Sequence, residues 1–120
     1  MNREILFKAK RIDNGEWVEG SIVMDQSRLD IFKYRIQPIE SGVLYAPPID
    51  PDTLCQYTGL TDKNGKKIWE NDLLGHKLNR VEFLNGTYCI NGDRSLFFEA
   101  NTNEVIGNIF DNPELLEVDR

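Results

Sequence analysis

The residues best suited to chemistry in this sequence are acidic ones that cluster between positions 50 and 72. They are Asp50, Asp52, Asp62, Glu70 and Asp72. Carboxylates of this kind bind divalent cations or act in pairs as general acid and base, but their spacing here fits neither arrangement. If Asp62-Lys63-Asn64-Gly65 belonged to a calcium loop, the twelfth position would fall on Asn71, where the loop requires an acid. We therefore expect no metal ion and no catalytic residue, and we interpret Asp62 as the residue that closes a turn.

A second chemistry is the stacking of a planar ring on aromatic side chains, with a negatively charged group bound by lysines. Tyr57 and Trp69 lie near Lys63, Lys66 and Lys67 in the sequence. Aromatic residues beside cations are typical of nucleotide or single-strand binders. The alternative is that both rings belong to the core and to cross-strand pairs of a small β domain. The sequence leaves both interpretations open.

Other common sites are not indicated. The sequence has no glycine-rich phosphate loop, no Gly-x-Ser-x-Gly and no His-Glu-x-x-His motif. Cys55 and Cys89 are its only cysteines, and we expect both to be reduced and buried. The one histidine, His76, has no ligand-like neighbours, so we assign it no role and expect no structural zinc. No cofactor is expected.

Composition favours one soluble domain. The chain has 120 residues, of which 40% are hydrophobic and 28% charged, which suits a single domain over 1–120. Its net charge of -6 opposes binding to duplex nucleic acid. No apolar stretch reaches the roughly 20 residues of a membrane span, and the first residues do not resemble a signal peptide. We therefore expect a cytoplasmic protein with no membrane partner.

Turn signals dominate the chain. Asn-Gly, the pair that best suits a two-residue type I′ hairpin turn, occurs four times. The positions are Asn14-Gly15, Asn64-Gly65, Asn85-Gly86 and Asn91-Gly92. Alternation of apolar residues around the first pair predicts an N-terminal hairpin, and a third strand is predicted over Ile31–Ile36, ended by Pro38.

The rest of the chain extends this pattern. Prolines make Ser41–Thr53 an extended connection, and alternating runs on both sides of Asn85-Gly86 predict a second hairpin. Ser95–Ala100 is apolar but of ambiguous type, Val105–Phe110 is β-rich, and Asn112-Pro113-Glu114 is typical of a helix start. We predict a mostly β fold in which the strands after Leu73 form a small curved sheet or an SH3-like barrel, with an α+β fold as the alternative.

The segment Cys55-Gln56-Tyr57-Thr58-Gly59-Leu60-Thr61-Asp62-Lys63-Asn64-Gly65-Lys66-Lys67-Ile68-Trp69-Glu70-Asn71-Asp72-Leu73 resembles the signature of the YopX family, small proteins of phages and prophages. The resemblance continues at Trp17-Val18-Glu19-Gly20-Ser21 and near the C-terminus. Three positions depart from the usual pattern: Cys55 replaces Gly, Trp69 replaces Tyr or Phe, and Asn71 replaces Gly. Because Asn tolerates positive φ better than other non-Gly residues, a tight turn at Asn71 is still expected.

The resemblance implies a phage accessory protein without an established reaction. We expect a non-enzymatic binding module that forms a homo-oligomer and acts on a protein of the bacterial host. A small-ligand binder, such as a nucleotide-signal sponge, is the alternative, and a hydrolase is the third hypothesis. Candidate binding residues are the polar and aromatic side chains of the signature segment. They are Gln56, Tyr57, Thr58, Asp62, Lys66, Lys67, Trp69, Glu70 and Asp72.

Overall fold

A computed structural model describes residues 4–28, 30–40, 42, 44–75 and 79–116. The prediction of no role for His76 falls outside these residues. The structure is 46% strand and 14% helix, which confirms the mostly β prediction. The chain divides into two compact units, 1–56 and 57–120. None of the described helices is long and apolar enough to span a membrane.

The N-terminal unit is an antiparallel sheet. Its strands are β1 (Phe7–Lys10), β2 (Trp17–Met24), β3 (Tyr34–Pro38) and the first residues of β4 (Cys55–Thr61). They lie in the order β3-β2-β1-β4, and the β1–β2 register confirms the predicted N-terminal hairpin. The core of this unit consists of Ala9, Ile36 and Ile49.

The third strand differs from the prediction. Residues Ile31–Lys33 form a 3-10 helix, because the Asp30 carboxylate accepts a hydrogen bond from the Phe32 N–H and turns the chain there. The strand begins at Tyr34 and includes Pro38, which pairs with Gly20 instead of ending the run. Proline is tolerated because β3 lies at the edge of this sheet, where an N–H is not needed on both sides.

The C-terminal unit contains the rest of β4 and six further strands. These are β5 (Lys67–Trp69), β6 (Asp72–Leu74), β7 (Val81–Leu84), β8 (Thr87–Ile90), β9 (Arg94–Ser95) and β10 (Val105–Asn108). Strand β5 pairs with β4, β6 with β10, and β7, β8 and β9 form a meander. The ambiguous run contains helix α1 (Leu96–Glu99) followed by a 3-10 helix (Ala100–Thr102), and the expected C-terminal turn is a 3-10 helix (Pro113–Leu116).

The core of the C-terminal unit is apolar and closely packed. It consists of Ile68, Leu74, Val81, Ile90, Leu96, Ala100 and Val105, with Leu60 and Tyr88 packed against it. Cys55 and Cys89 are both buried thiols that form no disulfide bond, as expected. Strand β10 ends because the Asn108 side chain accepts hydrogen bonds from the Phe110 and Asp111 N–H groups, which start a turn.

All four Asn-Gly pairs lie between antiparallel strands, but only two form type I′ turns. Asn85-Gly86 and Asn91-Gly92 have positive φ at both residues. At the other two pairs only the glycine has positive φ. The reason at Asn14 is an Asx turn, in which its side-chain oxygen accepts a hydrogen bond from the Glu16 N–H.

Candidate functional site

Asp62 organises the turn between β4 and β5. The side chain is only 4% exposed, and its Oδ1 accepts hydrogen bonds from the N–H groups of Asn64 (2.8 Å) and Lys66 (2.9 Å). Its Oδ2 accepts a third hydrogen bond from the Val105 N–H of β10 (2.9 Å). Asp62 therefore closes its own turn, as predicted, and also joins that turn to a strand 43 residues away in the sequence.

These hydrogen bonds keep Asp62 ionised. Burial by itself raises the pKa of a carboxyl group, because the charged form loses hydration. Here the N–H groups of Val105, Lys66 and Asn64 outweigh that effect, and together with the nearby Lys66 charge they lower the pKa of Asp62 below its ordinary value. The Lys63 N–H also donates to the Asn103 carbonyl, so the turn is bonded both to the first residue of β10 and to the chain just before it.

Thr58 and Asp72 have comparable roles. The buried Thr58 hydroxyl donates to the Ile68 carbonyl across the β4–β5 pair (2.7 Å), and Asp72, 2% exposed, accepts the Trp69 N–H (2.8 Å). Between β5 and β6, Asn71 has a φ of 70°, which confirms the tight turn expected from the sequence. The backbone of Asn71 contacts two neighbours: its N–H donates to Val81 and its carbonyl accepts from Ile109.

The two aromatic candidates pack on each other. The ring centroids of Tyr57 and Trp69 are 5.6 Å apart and tilted by 47°, and both side chains are at most 8% exposed. The Lys67 ammonium lies 5.7 Å from the centre of the Tyr57 ring. This geometry is typical of a cross-strand pair in a core, where each ring face contacts protein.

The remaining candidates are more accessible. Lys66 is exposed, whereas Gln56, Lys67 and Glu70 are half-buried. Gln56 belongs to the N-terminal unit, where it pairs with Phe7 on β1. In the part of the chain that the structure describes, no three of His, Cys, Asp and Glu come close enough to hold a metal ion.

A surface outside the candidate set has the strongest features for recognition. Leu96 in helix α1 and Ala100, just after the end of the helix, are buried. Phe97 and Phe98, between them, are 71% and 78% exposed. Their rings form an edge-to-face pair with centroids 5.3 Å apart. They border a shallow groove of about 450 Å³, which we call the aromatic groove. It is lined by Gly59, Leu60, Thr61, Phe97, Phe98, Ala100 and Asn101.

The sequence contains a signal for this surface in the run Ser95–Ala100. Two adjacent phenylalanines cannot both follow Leu96 into a core, because consecutive residues diverge by about 100° on a helix and 180° on a strand. The run Ser95–Ala100 therefore has more large apolar side chains than one buried face can hold, and some of them must be exposed. The small residue Gly59, with a φ of 87°, leaves the other side of the groove open.

The protein is small and mostly β. The buried polar residues Thr58, Asp62 and Asp72 of its signature segment bond backbone groups in and around the turns. The YopX family model, described as YopX protein, matches residues 5–117. The chain therefore belongs to the YopX family. The fold is similar to that in the crystal structure of protein EF1440 from Enterococcus faecalis, with a TM-score of 0.61 and 23% sequence identity over 97% of this chain and 100% of that one. No curated protein matches the sequence significantly.

Proposed function

We propose that the protein is a non-enzymatic binding module that holds a partner protein in the aromatic groove. The observation that carries this proposal is the exposure of Phe97 and Phe98 next to each other. Aromatic rings are the side chains that most often dominate the energy of protein interfaces, and contiguous exposed apolar patches mark such interfaces. Leu60 lines the groove and also packs against the core of the C-terminal unit, so this wall of the groove is part of the packed fold.

The partner and setting follow from the resemblance to phage and prophage proteins. We propose that the chain is a phage or prophage accessory protein and that its partner is a protein of the bacterial host, bound in the host cytoplasm. A preformed groove with aromatic anchors suits an apolar segment of such a partner, because burial of the two rings drives association.

A small-ligand or nucleotide binder is less well supported. That function needs aromatic faces open to a base, but Tyr57 and Trp69 are buried against each other, and Lys67 lies over the Tyr57 ring. A base would have to displace one of these contacts before it stacked. The signature side chains Thr58, Asp62 and Asp72 also offer little to a small ligand, because each is bonded to backbone groups of its own fold.

The test is a pair of substitutions in the aromatic groove. Replacing both Phe97 and Phe98 by serine is expected to leave the melting temperature nearly unchanged, because both rings are exposed. Capture of the partner from infected host lysate, quantified by mass spectrometry and then repeated with the purified partner, is expected to fall by roughly 100-fold, as for two interface anchors of about 1.4 kcal/mol each.

Leu44→Ser is the matched control, since Leu44 is 95% exposed and lies in the other unit. This variant is expected to capture the same partner as the original chain. Equal loss of capture in both variants, or full capture by the phenylalanine variant, contradicts the proposed groove.

We also propose that the protein self-associates, through the edge of the β7–β8–β9 sheet. Strand β7 lies at an edge of this sheet in the described chain; its first residue, Val81, accepts the Asn71 N–H, and beyond it β7 carries Phe83 and Leu84, which are 49% and 44% exposed. Edge strands with apolar side chains pair readily with a second strand.

Light scattering of the original chain at micromolar concentration is expected to give a multiple of 13.9 kDa. Leu84→Lys, which places a charge on that edge, is expected to shift the mass toward the monomer. A monomer of the original chain over the whole range would show that this edge stays unpaired.

A further inference from the structure

The four Asn-Gly pairs of the chain share a chemistry that the proposed binding function does not use. Asparagine is a chemically labile residue, and the carbonyl carbon of its side chain lies within reach of the next backbone nitrogen. Glycine as the next residue makes the attack easiest, because it has no side chain to obstruct the approach. The attack requires a Gly N–H that is free to lose its proton and an Asn side chain that is free to rotate.

Two of the pairs have a Gly amide that is bonded within its own turn. The Gly15 N–H donates to the Arg11 carbonyl (2.9 Å), and the Gly65 N–H donates to the Asp62 carbonyl (3.0 Å). The side-chain oxygen of Asn14 is bonded as well. Each of these amides must break its hydrogen bond before its nitrogen attacks, so both pairs are protected by their turns.

The pair Asn91-Gly92 is protected at the other reacting group. The Oδ1 of Asn91 accepts the Arg80 N–H (2.9 Å), and its Nδ2 donates to the side-chain oxygen of Asn79 (3.3 Å). Rotation of this side chain toward the Gly92 nitrogen would break both hydrogen bonds.

The pair Asn85-Gly86 has neither protection. Both residues are exposed at the tip of the β7–β8 hairpin, where the ladder ends at the Leu84–Thr87 pair. A two-residue turn closes through the residues on either side of it, so the Gly86 N–H is left to water. Among the residues that the structure describes, neither the Asn85 side chain nor the Gly86 N–H has a hydrogen-bond partner.

We propose that Asn85 is a site of spontaneous covalent modification, at which asparagine is converted to aspartate and isoaspartate. The Gly86 nitrogen gives its proton to hydroxide and bonds to the side-chain carbonyl carbon of Asn85, and the side-chain nitrogen takes up a proton and leaves as ammonia. Water then opens the cyclic imide at either carbonyl. One opening gives aspartate, and the other gives isoaspartate, in which the backbone runs through the former side chain. Water is consumed and ammonia is released, so the step needs no oxidant or reductant.

The product is accessible to other proteins. Either opening places a new carboxylate at the exposed tip of the hairpin. Isoaspartate is the group that protein-isoaspartate methyltransferases accept, so the modified chain is a substrate for that class of enzyme. The site depends neither on the aromatic groove nor on self-association.

The experiment ages the full chain in mildly alkaline buffer and follows each Asn-Gly pair by peptide mapping and mass spectrometry. Conversion at Asn85 is expected to be roughly tenfold faster than at Asn91, whose side chain must first leave two hydrogen bonds. The rate is expected to rise with hydroxide concentration, because the Gly86 nitrogen must lose its proton. In urea the four pairs are expected to react at similar rates, since the fold no longer holds any of them.

Asn85→Gly and Asn91→Gly are the matched variants, because Gly-Gly also suits a type I′ turn. Methylation by an isoaspartate methyltransferase measures the total isoaspartate of each aged chain. Asn85→Gly is expected to lose most of this signal, and Asn91→Gly is expected to keep it. Three results would overturn the proposal: equal rates at all four pairs of the folded chain, faster conversion at another pair, or a faster rate at Asn85 that persists unchanged in urea.

Discussion

Replacement of Asp62 by alanine is expected to lower the free energy of unfolding by about 3 kcal/mol. The substitution removes the acceptor for three backbone N–H groups at once, those of Asn64, Lys66 and Val105. Water can reach the two N–H groups within the exposed turn, but the Val105 N–H is buried and stays without a partner. Urea denaturation followed by circular dichroism measures the loss.

Asp13→Ala is the comparison that isolates this effect. Asp13 is exposed and forms an ion pair with Arg11, so its removal is expected to change stability far less than the removal of Asp62. Equal stability of the Asp62 and Asp13 variants would show that the turn does not depend on its carboxylate. If Asp62→Ala unfolds the chain at room temperature, Asp62→Asn keeps one acceptor oxygen and allows the same measurement on a folded protein.

The same carboxylate predicts a dependence on pH. The pKa of Asp62 is lower in the folded protein than in the unfolded chain, so its stabilisation is complete above the unfolded pKa of about 3.9. It is lost as the pH falls through the folded pKa. The difference in stability between the original chain and Asp62→Ala is therefore expected to be constant from about pH 6 to pH 8 and to shrink below about pH 4.

Much of the fold follows from turn chemistry that is visible in the sequence. All four Asn-Gly pairs separate antiparallel strands because alternation on both sides already specifies which face is buried. The type of turn was less predictable. At Asn14 the side chain accepts a hydrogen bond from the Glu16 N–H, and at Asn64 the backbone N–H donates to Asp62. Both turns are therefore longer than a type I′ turn, and local propensity alone does not tell the two kinds of turn apart.

The candidate sites show a different limit. Polar residues in strand-like runs suggested a binding cleft, but Thr58, Asp62 and Asp72 bond backbone groups that come from other positions in the chain. The Ile68 partner of Thr58 and the Val105 partner of Asp62 come from pairing between separate segments, which spacing does not reveal, whereas Trp69 lies only three residues before Asp72. The contact of Trp17 with Lys8 and Lys10 has the same origin, because the β1–β2 register brings these residues together.

The second large effect is expected at Gly20, in the middle of β2. Gly20 is buried and pairs with Phe7 on one side and with Pro38 on the other. A methyl group at this position would collide with the Gln37 backbone carbonyl and would also press on the Ile36 side chain at 3.1 Å. A carbonyl in a strand cannot rotate away as a flexible side chain does, so β3 would have to separate from β2.

We therefore expect Gly20→Ala to lower the free energy of unfolding by about 3 kcal/mol and the melting temperature by roughly 10 °C or more. Ser21→Ala, at the next residue, serves as the control, because Ser21 is exposed on the opposite face and is expected to shift the melting temperature by about 2 °C at most. A Gly20→Ala variant with the same melting temperature as the Ser21→Ala control would mean that β2 and β3 pack less closely than the structure shows. If Gly20→Ala is insoluble, the double variant Gly20→Ala with Pro38→Ala is refolded from urea, since Pro38 is the register partner of Gly20 on β3. Recovery of folding by the double variant is expected if the clash with the Gln37 carbonyl is the cause.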